Sequence, residues 1–245
     1  MLPPVTGGSI LPHTENRLLA ALSPSDLALL KPHLKTLQVK QHQILFEPGD
    51  KLYTTYFPLT AIVSLVVLLS KGESVETAMV GRDGVVSATA ALDGKLAVNR
   101  GVVQLAGEIL SCDSDELKIA AKKSDSLMSV LLRHEQALFS QAQQSAACMA
   151  NHVVEARLCR WLLRARDLAG HDTLDFTQEY LGEMLGVRRT SVTVVAHILQ
   201  QAGFIKYARG KITLVNLEGL QDAACECYET VRSHYEELLG HIPSK

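Results

Sequence analysis

At 245 residues the chain is long for one small domain and suits two modest ones. Hydrophobic residues make up 47% and charged residues 20%, enough apolar surface for ordinary cores, which excludes bulk disorder. The net charge of −2 is unevenly spread: residues 1–150 carry −1, residues 151–215 carry +3 and residues 216–245 carry −4.

The first 13 residues hold three prolines and two adjacent glycines and read as a loose arm, without the basic start or apolar core of a secretion signal. A helix is expected from about Thr14 to Leu22. A second starts at Ser23-Pro24-Ser25-Asp26, with Ser23 as N-cap, Pro24 at the first helical position and Asp26 at N3. From Leu37 the texture changes to short β-like runs: Leu37–Phe46, Leu52–Phe57, Ile62–Leu69, Val75–Val80, Val102–Leu105 and Ile109–Ser111. They are broken at Glu47-Pro-Gly-Asp50, Ser70-Lys-Gly-Glu73, Gly81-Arg-Asp-Gly84 and Asp93-Gly94, a spacing that suggests a β-sandwich or jelly roll. The longest apolar stretch, Ala61–Leu69 interrupted by Ser64, is about half of the roughly 20 residues needed to span a bilayer, so no membrane partner is expected.

After Ser114 the pattern is helical to about Ala169. Leu127, Leu131 and Leu138, with Ala142, Ala146 and Met149, form a stripe at helical spacing that predicts a dimerisation helix. A new apolar face begins with Val153, Leu158, Trp161, Leu162 and Ala165, which puts a boundary near residue 150. The expected organisation is an α+β chain. It comprises an N-terminal arm and jelly roll over 1–124, a dimerisation helix over 125–150 and a DNA-binding domain over 151–245. The tail Leu217–Leu239 reads as a helix with an acidic exposed side.

The segment from Phe176 to Leu199 reads as helix, tight turn, helix. Thr177 is a good N-cap; Tyr180, Leu181, Met184 and Leu185 give the first helix a buried face. Gly186 sits where the chain must turn sharply. The second helix is expected to bury Val192, Val195, Ile198 and Leu199, leaving its opening residues free. A major groove admits one helix, whose N-terminal residues meet base edges. Arg188, Arg189, Thr190 and Thr193 are the candidate base contacts. Thr177, Gln178, Ser191 and His197 are candidate backbone contacts. A hairpin around Arg209-Gly210 adds Lys206, Arg209 and Lys211 on a wing placed to meet phosphates, and the local +3 charge agrees with a duplex DNA partner.

These motifs resemble the Crp/Fnr family of bacterial transcription regulators. The likeness is sharpest from Thr177 to Val215, where Gly182, Gly186, Arg189, Ser191 and Val192 fall at family positions. It implies a cyclic-nucleotide-binding-like jelly roll, a long dimerisation helix and a winged helix-turn-helix acting as a homodimer on a palindromic site. An activator of this kind would also contact RNA polymerase. Arg189 looks like the family's principal guanine-reading arginine. Thr190 and Val194 depart from the residues many members carry, which implies a different operator.

By the same resemblance, Arg100 corresponds to the arginine that pairs with a cyclic-nucleotide phosphate, and Ser87 and Thr89 are further candidate effector contacts. No glutamate occurs between Asp83 and Arg100, and Gly101 replaces the hydroxyl residue, so cyclic AMP is not the expected ligand. Iron–sulfur members use clustered N-terminal cysteines; here the first is Cys112, and no cluster is expected. Cys225 and Cys227, two apart, would point to different sides of a helix and make a poor metal pair. Cys148 and Cys159 read as packing residues, and His134, His152 and His197 have no ligand spacing between them, so no metal is expected. The five cysteines suit a reducing cytoplasm. Two other functions remain open: a small-molecule sensor acting through protein contacts, and a metal-dependent enzyme. The enzyme needs a histidine/carboxylate triad, for which the strand region offers only His42.

Overall fold

The computed structural model describes residues 15–70 and 72–240; the expected arm and the start of the first helix lie outside them. Helix α1 (Arg17–Ala20) is capped by Asn16. Helix α2 (Pro24–Leu30) starts as the sequence predicts, with the Ser23 hydroxyl accepting from the Asp26 amide.

Seven strands follow. They are β1 (Lys35–Val39), β2 (Ile44–Phe46), β3 (Thr54–Pro58), β4 (Ile62–Leu68), β5 (Ser74–Val80), β6 (Arg100–Leu105) and β7 (Gly107–Asp113). They form two antiparallel sheets, β1-β7-β3 and β2-β6-β4-β5, the two layers of the expected jelly roll. Val39, Val103 and Ile109 from both sheets meet in one apolar cluster. The predicted run Leu37–Phe46 is two strands, because the chain reverses at His42, which sits at φ 66°.

The helical stretch after Ser114 is three helices: α3 (Ser114–Lys123), α4 (Asp125–Asn151) and α5 (Val154–Ala169). Asp113 and Ser124 cap the first two, and at 27 residues α4 is about 40 Å long. The expected stripe on α4 is only partly free. Leu127 and Leu131 are buried against α1–α3 and the barrel, and Leu138 and Ala142 face a barrel cavity. The large exposed apolar residues of α4 are Leu132 and Phe139, at 54% and 65% exposure, and Ala146 of the expected stripe is exposed as well. His134 is buried, its Nε2 accepting from the Val85 amide at 3.1 Å, so it is a core acceptor. Val153 is not the start of a new buried face: it is the extended N-cap of α5 and largely exposed.

Strand β8 (Thr173–Asp175), helix α6 (Gln178–Leu185), helix α7 (Arg189–Gln201) and strands β9 (Ile205–Ala208) and β10 (Lys211–Leu214) complete the winged domain. Its sheet has the order β8-β10-β9, three strands where the sequence suggested a hairpin. Helix α8 (Leu217–Ala223) and helix α9 (Cys227–Leu239) close the chain. Helix α9 lies along α4, with Val231 and Tyr235 packed on Ala137 and the Tyr235 hydroxyl donating to Gln141. Among the described residues no helix is long and apolar enough to cross a membrane.

One apolar core joins the two domains. Ile62, Val66, Met79 and Val102 from the barrel pack with Leu158, Trp161, Phe176 and Tyr180. Polar contacts reinforce the joint. Trp161 Nε1 donates to Glu76 at 2.9 Å, Gln41 donates to the Asp175 carbonyl at 2.9 Å, and Arg164 pairs with Asp83 at 2.8 Å.

Candidate nucleic-acid interface

Helix α6 begins at Thr177, whose hydroxyl accepts from the Tyr180 amide, and its buried face is the expected Tyr180, Leu181, Met184 and Leu185. It ends at Gly186, at φ 61°, a conformation that L side chains rarely adopt. Gly182 serves close packing instead. A Cβ there would sit 2.9 Å from the Val187 carbonyl oxygen, so a side chain would push the start of α7 away.

Arg188 is the N-cap of α7 and Arg189 its first residue. Arg188, Arg189, Thr190, Thr193 and His197 are exposed, while Ser191 is half-buried. Val192, Val195 and Leu199 are buried as expected, with Ala196. Ile198 is not: it is 42% exposed and shares the outer face with Val194, at 60%. The helix turns Ala196 inward in its place. Val194, one turn from Thr190, and Ile198, one turn further, are exposed branched side chains of the kind that can make apolar contact with thymine methyl groups. A sequence search for polar readers passes over such residues. Thr193 is less free than its exposure suggests, since its Oγ1 lies 2.6 Å from Gln178 Oε1 and 3.1 Å from the Arg189 carbonyl. Those contacts tie the start of α6 to α7 and engage both Thr193 and Gln178 within the protein.

The wing turn forms where expected, with Arg209 and Gly210 at φ 52° and 77°, the signature of a two-residue hairpin. Lys206 and Arg209 are exposed; Lys211 is exposed but lies 3.3 Å from Asp175. Local charge is distributed differently from what the sequence suggested. Four of the nine cations of residues 151–215 lie on α5, where Arg157 and Arg160 are buried, Arg164 pairs with Asp83 and Arg166 with Asp172. The positive face consists of Arg188, Arg189, Lys206 and Arg209.

In the barrel, a cavity of about 310 Å³ is bounded by Phe46, Leu52, Leu65, Ser87, Thr89 and Phe139, among others. Ser87 sits at φ 65° and its buried hydroxyl has no partner among the described residues. Arg100 is absent from the lining. Its guanidinium makes two hydrogen bonds to Glu47, at 2.9 and 2.8 Å.

The cysteine geometry needs correction as well. Cys225 precedes α9 and Cys227 is its first residue, so helical spacing does not separate them. With Cys148 and His152, at the end of α4, they bring four donor atoms within 4.8 Å of one another.

Residues 156–223 match the Crp-like helix-turn-helix domain family. Among curated proteins no relative matches the chain. Solved structures of similar fold include FixK2 from Bradyrhizobium japonicum, at 16% identity and TM-score 0.67, covering 78% of this chain and 98% of that one. A Crp/Fnr-family transcriptional regulator of Thermus thermophilus is 20% identical at TM-score 0.64, with 78% and 98% covered. The c-di-GMP-responsive global regulator CLP of Xanthomonas campestris is 14% identical at TM-score 0.63, with 79% and 100% covered. At these identities the likeness is one of fold. Residues 156–223 are thus similar to the Crp-like helix-turn-helix domain, and the chain shares the fold of these solved Crp/Fnr-type structures.

Proposed function

We propose that the chain is a homodimeric, sequence-specific DNA-binding regulator that reads a palindromic site with the helix beginning at Arg188 and Arg189. The observation that carries this reading is the exposed opening of α7, left uncovered by the barrel, the wing and α9. Arginine at the first turn can offer two parallel donors to guanine O6 and N7. Dimerisation rests on the exposed Leu132 and Phe139 of α4 and on the need for two half-sites about 34 Å apart. Independence from cyclic AMP is supported by the mostly apolar cavity lining and by the engagement of Arg100 with Glu47. An anionic phosphate would find no guanidinium among the lining residues. Ser87 and Thr89 remain the proposed polar contacts for an effector.

Selection of bound duplexes from a random pool tests the reading and reveals any operator symmetry. Arg189→Ala should then cost about 1–3 kcal/mol on the selected site and relax preference at one base pair of each half-site. Arg209→Ala should weaken selected and random DNA alike and reduce the salt slope by roughly one per protomer. An equal loss on all duplexes for Arg189→Ala would refute direct readout.

A further inference from the structure

We propose that Cys148, His152, Cys225 and Cys227 form a binding site for a thiophilic divalent cation such as zinc, pinning the joint between α4 and the winged domain. The proposal does not depend on the reading of α7 as a DNA reader.

The four donors come from two places far apart in sequence. Cys148 lies in the last turn of α4 and His152 caps it four residues later, on the same face. Cys225 and Cys227 come from the turn that leads into α9. Cys148 Sγ lies 3.5 Å from Cys225 Sγ, and Cys227 Sγ lies 3.4 Å from His152 Nδ1. Tetrahedral zinc, with bonds of ~2.3 Å to sulfur and ~2.0 Å to nitrogen, separates sulfur pairs by ~3.8 Å and sulfur–nitrogen pairs by ~3.5 Å. Both observed edges are close to those values. The widest pair of donors, at up to 4.8 Å, has to close by about 1 Å, within reach of side-chain rotation.

The surroundings suit a metal better than a packed thiol cluster. With Nδ1 turned to the sulfurs, His152 Nε2 lies 3.2 Å from a Glu226 carboxylate oxygen, the arrangement that fixes the tautomer of a metal-bound imidazole. Gln144 Nε2 donates to Cys227 Sγ at 3.1 Å, orienting it as a thiolate would be oriented. Three thiolates and a dication leave one net negative charge. The nearby buried guanidinium groups of Arg157 and Arg160 oppose it. Ordinary packing of cysteine needs neither a histidine–carboxylate pair nor buried arginines.

The position gives the ion its consequence. The chain leaves α4 through the extended residues His152 and Val153, and no proline or glycine fixes their conformation. A cation held by Cys148 and His152 on one side and Cys225 and Cys227 on the other would clamp that joint. Arg157, beside the cluster, donates to the Leu185 carbonyl at the end of α6, which links the clamp to the helix-turn-helix.

The test uses the full chain, kept reduced and stripped with a chelator, then titrated with cobalt(II). One cobalt per chain is expected, with thiolate-to-cobalt charge transfer and the visible bands of a tetrahedral site; zinc(II) should displace it. Cys148→Ser and Cys225→Ser should each lose the charge-transfer band and at least tenfold in affinity. Cys112→Ser, in the barrel, should keep both. His152→Ala, at a half-buried cap, offers a variant that preserves the fold, confirmed by circular dichroism; it should weaken binding and shift the visible bands. Zinc should also raise the melting temperature of the wild-type chain and leave folded Cys225→Ser unmoved. Absence of the charge-transfer band in the wild type, or its survival in Cys148→Ser, would overturn the proposal. So would a Cys148–Cys225 disulfide that survives treatment with reductant and blocks cobalt, since the pair would then be a structural crosslink.

Discussion

Glu76 offers a pH-dependent test of how the barrel holds the winged domain. It lies on β5, and its carboxyl accepts from Trp161 Nε1 of α5 and from the Ser64 hydroxyl. Burial raises its pKa from 4.5 to about 7, against the lowering effects of Ser64, Arg160, Trp161 and Arg164. The folded chain therefore keeps this proton up to about pH 7, while the unfolded chain releases it near 4.5. Between those values the folded state binds more protons, so stability falls as pH rises and levels off above the folded pKa. At ~1.4 kcal/mol for each step of the pKa scale, the loss is about 3 kcal/mol. Glu76→Gln keeps a neutral group of the same shape and removes the titration. Urea unfolding followed by fluorescence of Trp161, the single tryptophan, measures both proteins from pH 4.5 to 8. The stability of Glu76→Gln relative to wild type should grow by about 3 kcal/mol across that window. Any constant cost of the amide cancels in the comparison. A difference that stays flat with pH, or that moves in favour of the wild type, would refute the reasoning. It would mean that Arg160 and Arg164 stabilise the carboxylate more than burial penalises it.

Gly186→Ala forces an L side chain to φ 61° and places a Cβ 3.1 Å from Val75, so it should cost at least 1–2 kcal/mol, roughly, and lower the melting temperature by several degrees. An unchanged melting curve would show that the turn relaxes freely. Phe139→Lys on the exposed face of α4 should convert a dimer to a monomer in sedimentation while leaving the circular dichroism spectrum intact; a persistent dimer would place the interface elsewhere. Arg100→Ala removes a half-exposed ion pair, so stability should change by no more than about 1 kcal/mol. Calorimetry should find no micromolar binding of cyclic AMP to the wild type or to this variant; tight binding abolished by the substitution would restore Arg100 to a phosphate-binding role.

What the sequence disclosed was local. The Ser23 and Thr177 caps, the turn at Arg209-Gly210 and the short barrel strands with the turns between them depend on neighbours within a few residues, and the structure shows each of them. What it withheld depends on distant partners. The change of apolar face puts a boundary near residue 150, but with no proline or glycine there nothing announces the break into two helices at His152. Strand β8 is three residues long and acquires meaning only by pairing with β10. The arginines of α5 look like part of a DNA-binding charge until Asp83 and the Leu185 carbonyl are seen beside them. Ile198 follows the helical spacing of its buried neighbours and is nevertheless exposed, with Ala196 buried instead. The cysteine–histidine cluster joins residues 75 and 77 positions apart, a separation that no spacing rule covers.

The packing of α9 along α4 changes what counts as a module in this chain. The polypeptide leaves α4, builds the winged domain and then returns to the same helix, so that domain is an insertion between the two arms of a long helical hairpin. A chimera joined at a single junction after α4 would discard α9 and expose Ala137 and Gln141 to water. Grafting a foreign reading head onto this barrel requires two cuts, one at each end of the winged domain, near His152 and near Ala224.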